Sequence, residues 1–105
     1  MRLHIKDKMV LLAAYMPFLS NGGIFVPTDI KYQIGNEVFL LLNLLKQTEE
    51  IPVAGTVVWV TPVHAQGGRI KGAGIQFNDQ EGRAKLHIER CLQGYENSDR
   101  STYTM

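Results

Sequence analysis

Seven side chains in this sequence stand out as candidates for chemistry. Ser20 and Cys91 could act as nucleophiles, His4, His64 and His87 as bases or metal ligands, and Asp79 with Glu81 as an acid–base pair. Each has a plainer reading. The three histidines lie far apart and lack the short spacings that bring ligands around one ion. Cys91 falls on an apolar helical stripe with no visible cause for a depressed thiol pKa, so it reads as a small buried hydrophobe. Ser20 has neither a neighbouring base nor a nucleophile-elbow motif. Asp79 and Glu81 are placed to favour a helix start. Gly72-Ala73-Gly74 is too short for a dinucleotide fingerprint, and no phosphate loop occurs. The expectation is a non-enzyme without metal or cofactor.

Recognition is then the remaining use for the chain, and the stretch most suited to it is Phe18-Leu19-Ser20-Asn21-Gly22-Gly23-Ile24-Phe25-Val26-Pro27-Thr28. A polar Gly-Gly turn lies between two apolar runs. Glycine takes positive φ without steric cost, so this reads as a tight turn delivering the chain into a short strand. The rest of the fold must hold that turn in place.

At 105 residues the chain is one domain, and 45% hydrophobic residues suffice for a core. A formal charge of +1, with lysine and arginine scattered, argues against nucleic-acid binding and against attachment to a membrane surface by charge alone. The one cysteine excludes an internal disulfide and suits a reducing compartment. The longest apolar run, Met9 to Leu19, falls short of the about 18 residues a membrane helix needs. No cleavage-site pattern follows it. A cytoplasmic protein without direct membrane insertion is expected.

The elements follow from periodicity. Residues 1–8 are polar and mixed and read as the approach to a first strand. Met9–Met16 is apolar on both alternating faces, so periodicity alone does not separate a buried strand from a helix; Pro17 ends it either way, and the turn beyond favours a strand. Gly23–Pro27 is a second strand, and Thr28–Asn36 a loop turning at Gly35-Asn36. Glu37–Leu45 is a strand with Val38, Leu40, Leu42 and Leu44 facing inward, followed by a charged hairpin tip at Lys46–Glu50. Ile51–Val63 is rich in β-branched and aromatic residues and bounded by Pro52 and Pro62. After a loop at Ala65–Gly68, Ile70–Asn78 is the last strand, with Ala73, Ile75 and Phe77 on one face. Gly72 and Gly74 on the other imply a bulge or a close approach. Asp79 caps a helix to about Gln93, with Ala84, Ile88, Cys91, Leu92 and Tyr95 on one stripe and Gly94 as a stop. The sum is mainly β: a small antiparallel β-barrel of five to six strands with a C-terminal α-helix. It spans residues 1–95, and residues 96–105 form a flexible tail.

These blocks resemble the PilZ domain family. Ser20-Asn21-Gly22-Gly23-Ile24-Phe25 resembles the second half of its ligand loop. Ala14 to Phe18, Gly22 to Thr28, Gly35 to Leu42, Pro52 to Trp59 and Gly72 to Phe77 are similar, in order, to the type IV pilus branch of that family. Most of its members are receptors for cyclic di-GMP, which they hold with an Arg-x-x-x-Arg segment and an Asp/Asn-x-Ser-x-x-Gly loop. The resemblance covers Ser20 and Gly23 of that loop and, as a vestige, Gly22. It fails at the Asp/Asn position, which is Phe18, and at the arginine pair. Arg2-Leu3-His4-Ile5-Lys6 ends in lysine, a poor substitute for a stacked, forked guanidinium, and lies too near the loop. Losing both removes several charge-assisted bonds worth about 1.5–3 kcal/mol each. No physiological binding of cyclic di-GMP is expected.

What the resemblance implies instead is a non-catalytic adaptor in type IV pilus assembly and twitching motility. It would bind the pilus extension ATPase PilB and, through the EAL-domain scaffold FimX, connect the motor to cyclic di-GMP signalling. The alternative is a cyclic di-GMP receptor using Ser20, Gly23 and basic residues near the N-terminus. Tyr15, Met16 and Phe18 beside the turn, with Trp59 on its strand, are the expected partner contacts. The competing reading is that Tyr15 and Phe18 close the barrel end and Trp59 is core. Phe39 and Leu41 are further outer-face candidates.

Overall fold

A computed structural model describes residues 1–45, 47–62 and 70–93 of the chain. Seven elements follow one another: β1 (Arg2–Ile5), α1 (Lys8–Ala14), β2 (Gly23–Pro27), β3 (Glu37–Leu44), β4 (Ile51–Val60), β5 (Gly72–Phe77) and α2 (Arg83–Cys91). The strands form one sheet in the order β1-β3-β4-β5-β2, curled into a half-barrel. The expected class, a mainly β domain with a C-terminal helix, is what is found. The sheet is mixed, however: β1 pairs in parallel with β3, while the other three pairings are antiparallel. Among the described residues no pairing joins β1 to β2, so the barrel is not closed by hydrogen bonds.

Two N-terminal expectations are corrected. Residues 2–5 are a strand in their own right; the alternation Arg2, Leu3, His4, Ile5 puts Leu3 and Ile5 toward the core and leaves Arg2 and His4 exposed. The run expected as a strand from Met9 is the helix α1. Asp7 decides this, because its Oδ1 accepts the Met9 N–H at 2.7 Å and satisfies a donor that a helix start leaves open. Leu11 and Ala14 then face inward. The helix connects the two edge strands of the sheet and touches both. It ends at Tyr15, where the backbone turns extended before Pro17.

Strands β2 to β5 lie close to where periodicity puts them. Leu40, Leu42 and Leu44 are buried, as are Val53 and Val57 on β4 and Ala73, Ile75 and Phe77 on β5. Strands β4 and β5 are shorter than expected; Val63 and the 65–68 loop lie outside the described residues. A register shift between Val57 and Trp59 leaves Val58 as the extra residue. Beyond it Trp59 stands opposite Gly74, as Phe25 does from the other side. A Cβ at Gly72 would come within 2.5 Å of the Phe25 ring, and one at Gly74 within 3.1 Å of both Trp59 and Met16. The two glycines are thus the floor on which Phe25, Trp59 and Met16 pack, with Phe25 and Trp59 edge-to-face at 6.0 Å.

Helix α2 starts at Arg83, four residues beyond the expected cap, with Gly82 at φ 72° before it. Asp79 still serves the start, accepting the Glu81 and Arg83 N–H groups at 3.1 and 2.9 Å. Ala84, Ile88, Cys91 and Leu92 join the core as their spacing requires. Tyr95, Gly94 and the expected tail at 96–105 lie outside the described residues.

Candidate functional site

The Gly-Gly turn is built from both sides. After α1, the chain lies along the free edge of β2: Tyr15 pairs with Ile24, and the Met16 N–H donates to the Gly23 carbonyl at 2.9 Å. Residues 17–22 therefore form a closed loop. Inside it the Gly22 N–H donates to the Leu19 carbonyl at 2.9 Å. Two bonds anchor it to β5: the Phe77 N–H donates to the Gly22 carbonyl at 3.0 Å, and the Gln76 amide to the Ser20 carbonyl at 3.0 Å.

The two glycines do different jobs. Asn21 and Gly22 take φ of 63° and 76°, the left-handed region that asparagine and glycine tolerate best. Gly23 has an ordinary φ but no room: a Cβ there would sit 2.5 Å from the Ile75 carbonyl oxygen. The loop leaves Ser20 exposed and turns the Phe18 ring outward, 54% exposed.

The other expected contact residues divide. Tyr15 and Met16 are 4% and 2% exposed, so they are not the open aromatic edge that was expected. The Tyr15 hydroxyl donates to Glu89 Oε2 on α2 at 2.7 Å. Burial, together with the bond to Glu89 and its charge, raises the phenol well above its ordinary pKa. Met16 fills the space over Gly74. Both hold the loop from beneath. Trp59 is partly exposed and shares that cluster. Phe39, 57% exposed, lies outward on β3 opposite Ala54, with Leu41 opposite Pro52 beside it. Sequence reasoning missed Ile30, Ile34 and Leu86, all exposed. For Leu86 the clue was present, since it falls off the stripe defined by Ala84, Ile88 and Cys91.

The chemically capable residues are occupied structurally. Cys91 is buried, and burial raises its thiol pKa against a smaller opposing effect of the Lys8 charge, so the reactive thiolate is disfavoured. Asp79 accepts backbone N–H groups, and Glu81 pairs with Arg83 at 2.9 Å. His87 contacts the Gln47 side chain, His4 lies exposed on β1, and His64 is outside the described residues. Among the described residues no three His, Cys, Asp or Glu side chains converge on a metal position. Arg2, the one arginine near the N-terminus, lies 3.6 Å from Glu50.

A curled sheet carrying an ordered, exposed turn loop, braced by a C-terminal helix, is the build of a small binding module. The chain belongs to the PilZ domain family, whose profile matches residues 1–94. No curated protein matches the sequence significantly. PilZ domains are typically non-catalytic regulatory or binding domains, and membership suggests a cyclic di-GMP-binding or an adaptor role. Within the described residues no helix is long and apolar enough to cross a membrane.

Proposed function

We propose that this PilZ domain is a non-catalytic cytoplasmic adaptor of type IV pilus assembly and twitching motility. It binds the pilus extension ATPase PilB and the scaffold FimX and does not itself hold cyclic di-GMP. The observation that carries this reading is Phe18. A nucleotide-binding loop needs a hydrogen-bonding side chain at that position, and this loop displays a 54% exposed apolar ring. Nothing in that ring can meet the polar edge of guanine, whereas an exposed aromatic is a favoured anchor for a protein partner. Arg2 supports the reading, because its guanidinium is paired with Glu50 and no second arginine stands four residues on.

The contact residues are then Phe18 on the loop, the exposed side of Trp59 on β4, and Phe39 on the outer sheet face. Tyr15 and Met16 act from below by fixing the loop that presents Phe18. The test is capture of PilB by purified domain. Phe18→Ser should fold with unchanged circular dichroism yet lose most of the PilB retained by the parent. Undiminished capture by a folded Phe18→Ser, Phe39→Ser double variant would remove these patches from the account.

A further inference from the structure

The two outermost strands of the sheet, β1 and β2, are finished differently. The outer edge of β2 is occupied: Tyr15 bridges to Ile24, the Met16 N–H donates to the Gly23 carbonyl, and Pro27 has no N–H to offer. The outer edge of β1 is open. In a parallel pair, alternate residues of a strand bond to its neighbour, and here those are the odd ones. The Met1 ammonium donates to the Phe39 carbonyl at 2.9 Å, the Met1 carbonyl accepts the Leu41 N–H at 2.9 Å, and the Ile5 carbonyl accepts the Leu45 N–H at 2.6 Å. The N–H and C=O groups of Arg2 and His4 therefore face away from β3, and Lys6 continues the alternation one step beyond the strand. Among the described residues none of these groups has a backbone partner. A row of unpaired donors and acceptors at strand spacing is a template for one more strand.

The side chains say which kind of strand. Arg2, His4 and Lys6 are exposed, whereas Leu3, on the opposite side of β1, is half-buried. An added strand would lay alternate side chains beside polar and basic groups on one side and beside apolar surface on the other. Arg2 already has a carboxylate near it, Glu50 at 3.6 Å, and Asp7 is engaged at the start of α1, where it accepts the Met9 N–H. Lys6 is in no ion pair among the described residues, so the carboxylate an added strand must bring is the one opposite Lys6. A second copy of this chain is the wrong occupant. Antiparallel pairing of β1 with itself about His4 puts Arg2 opposite Lys6 twice, and like charges directly opposite destabilise a strand pair.

We propose that the open edge of β1 takes an extended, amphipathic segment of a partner protein as an additional strand, with a carboxylate facing Lys6 and apolar side chains on the Leu3 side. The test is an amide NMR titration of the full chain at fixed ionic strength with a short blocked peptide alternating glutamate and valine. The same peptide with lysine in place of glutamate is the second arm. Saturable shifts centred on β1 are expected, with hydrogen exchange slowed at the His4 and Lys6 amides and little changed at Leu3 and Ile5, which are already bonded to β3. The lysine peptide should bind about fivefold more weakly. His4→Pro removes an outward N–H without touching the bonds to β3, so the strand should survive while binding falls about tenfold. Lys6→Glu, a change at an exposed position, should shift the preference toward the lysine peptide, and it decides the matter if His4→Pro does not fold. Several results would overturn the proposal: no saturable shifts at millimolar peptide, equal binding of the two peptides, undiminished binding by a folded His4→Pro, or protection along β2 instead of β1. So would protection of the His4 and Lys6 amides that grows with protein concentration without peptide, since a second copy would then be the occupant. None of these outcomes depends on PilB capture, so this edge and the adaptor reading stand or fall separately.

Discussion

Among the described residues two turns place a residue other than glycine in left-handed backbone, and they do so in opposite ways. At the loop after α1, the residues in that conformation are Asn21 and Gly22, the types that tolerate it. At the hairpin after β3, the residue is Leu45, which does not. The first loop is therefore relaxed and is held by hydrogen bonds to β5; its distinctive content is the side chain it displays, Phe18. The second is strained and needs Asn43 to clamp it. A turn whose residues suit its backbone can be kept for presentation. One whose residue does not suit it is being held for what it positions, here Gln47 against α2.

The largest effect expected of a single change lies where the relaxed loop enters β2. Gly23→Ala places a methyl 2.5 Å from the Ile75 carbonyl, backbone that cannot give way cheaply. A loss of about 2–3 kcal/mol in denaturant unfolding is expected. If stability is unchanged, the β2–β5 approach is looser than described.

Tyr15→Phe tests the brace between that loop and α2. Loss of the bond to Glu89 should cost about 1–1.5 kcal/mol. The pH dependence has a definite sign. A phenol whose folded pKa is raised binds its proton in the folded state after the unfolded chain has lost it. Its stabilisation is thus complete below about pH 10 and declines as pH rises further. Stability curves of parent and Tyr15→Phe should converge in that alkaline range; parallel curves would mean that the hydroxyl is neither buried nor held by Glu89.

The smallest effects sharpen the contrast between the turns directly. Gly22→Ala forces a Cβ into positive φ and should cost about 1 kcal/mol, since the surrounding contacts at 3.4 Å are ordinary. Leu45→Gly relieves strain of similar size while losing packing of a half-buried side chain, so its net effect should stay within about 0.5 kcal/mol. Equal destabilisation by the two would show that backbone strain does not distinguish them.

Much of this was legible in the residues, and the failures have physical causes. Strands β2 to β5 read correctly because their alternation or β-branched content has no helical counterpart. Gly72 and Gly74 announced the close approach that Phe25 and Trp59 make. The run from Met9 was misread because continuous apolarity carries no period; the deciding feature was Asp7, a cap outside the run. Tyr15 and Met16 were taken for surface because aromatic and thioether side chains beside a turn serve equally at an interface or beneath it. Only the bridge to Ile24 and the partner Glu89, 74 residues away, fix them underneath. The strain at Leu45 has no sequence signature at all, since leucine is not a residue that marks left-handed backbone. The placing of Gln47 against α2 depends on long-range packing that periodicity does not carry.

The central claim is that the Gly-Gly loop presents an apolar ring where a nucleotide grip would have to be. Isothermal calorimetry of the full chain with cyclic di-GMP tests it most directly. No heat of binding is predicted at micromolar nucleotide. A micromolar dissociation constant that disappears in Ser20→Ala would contradict the claim and make this loop a receptor site.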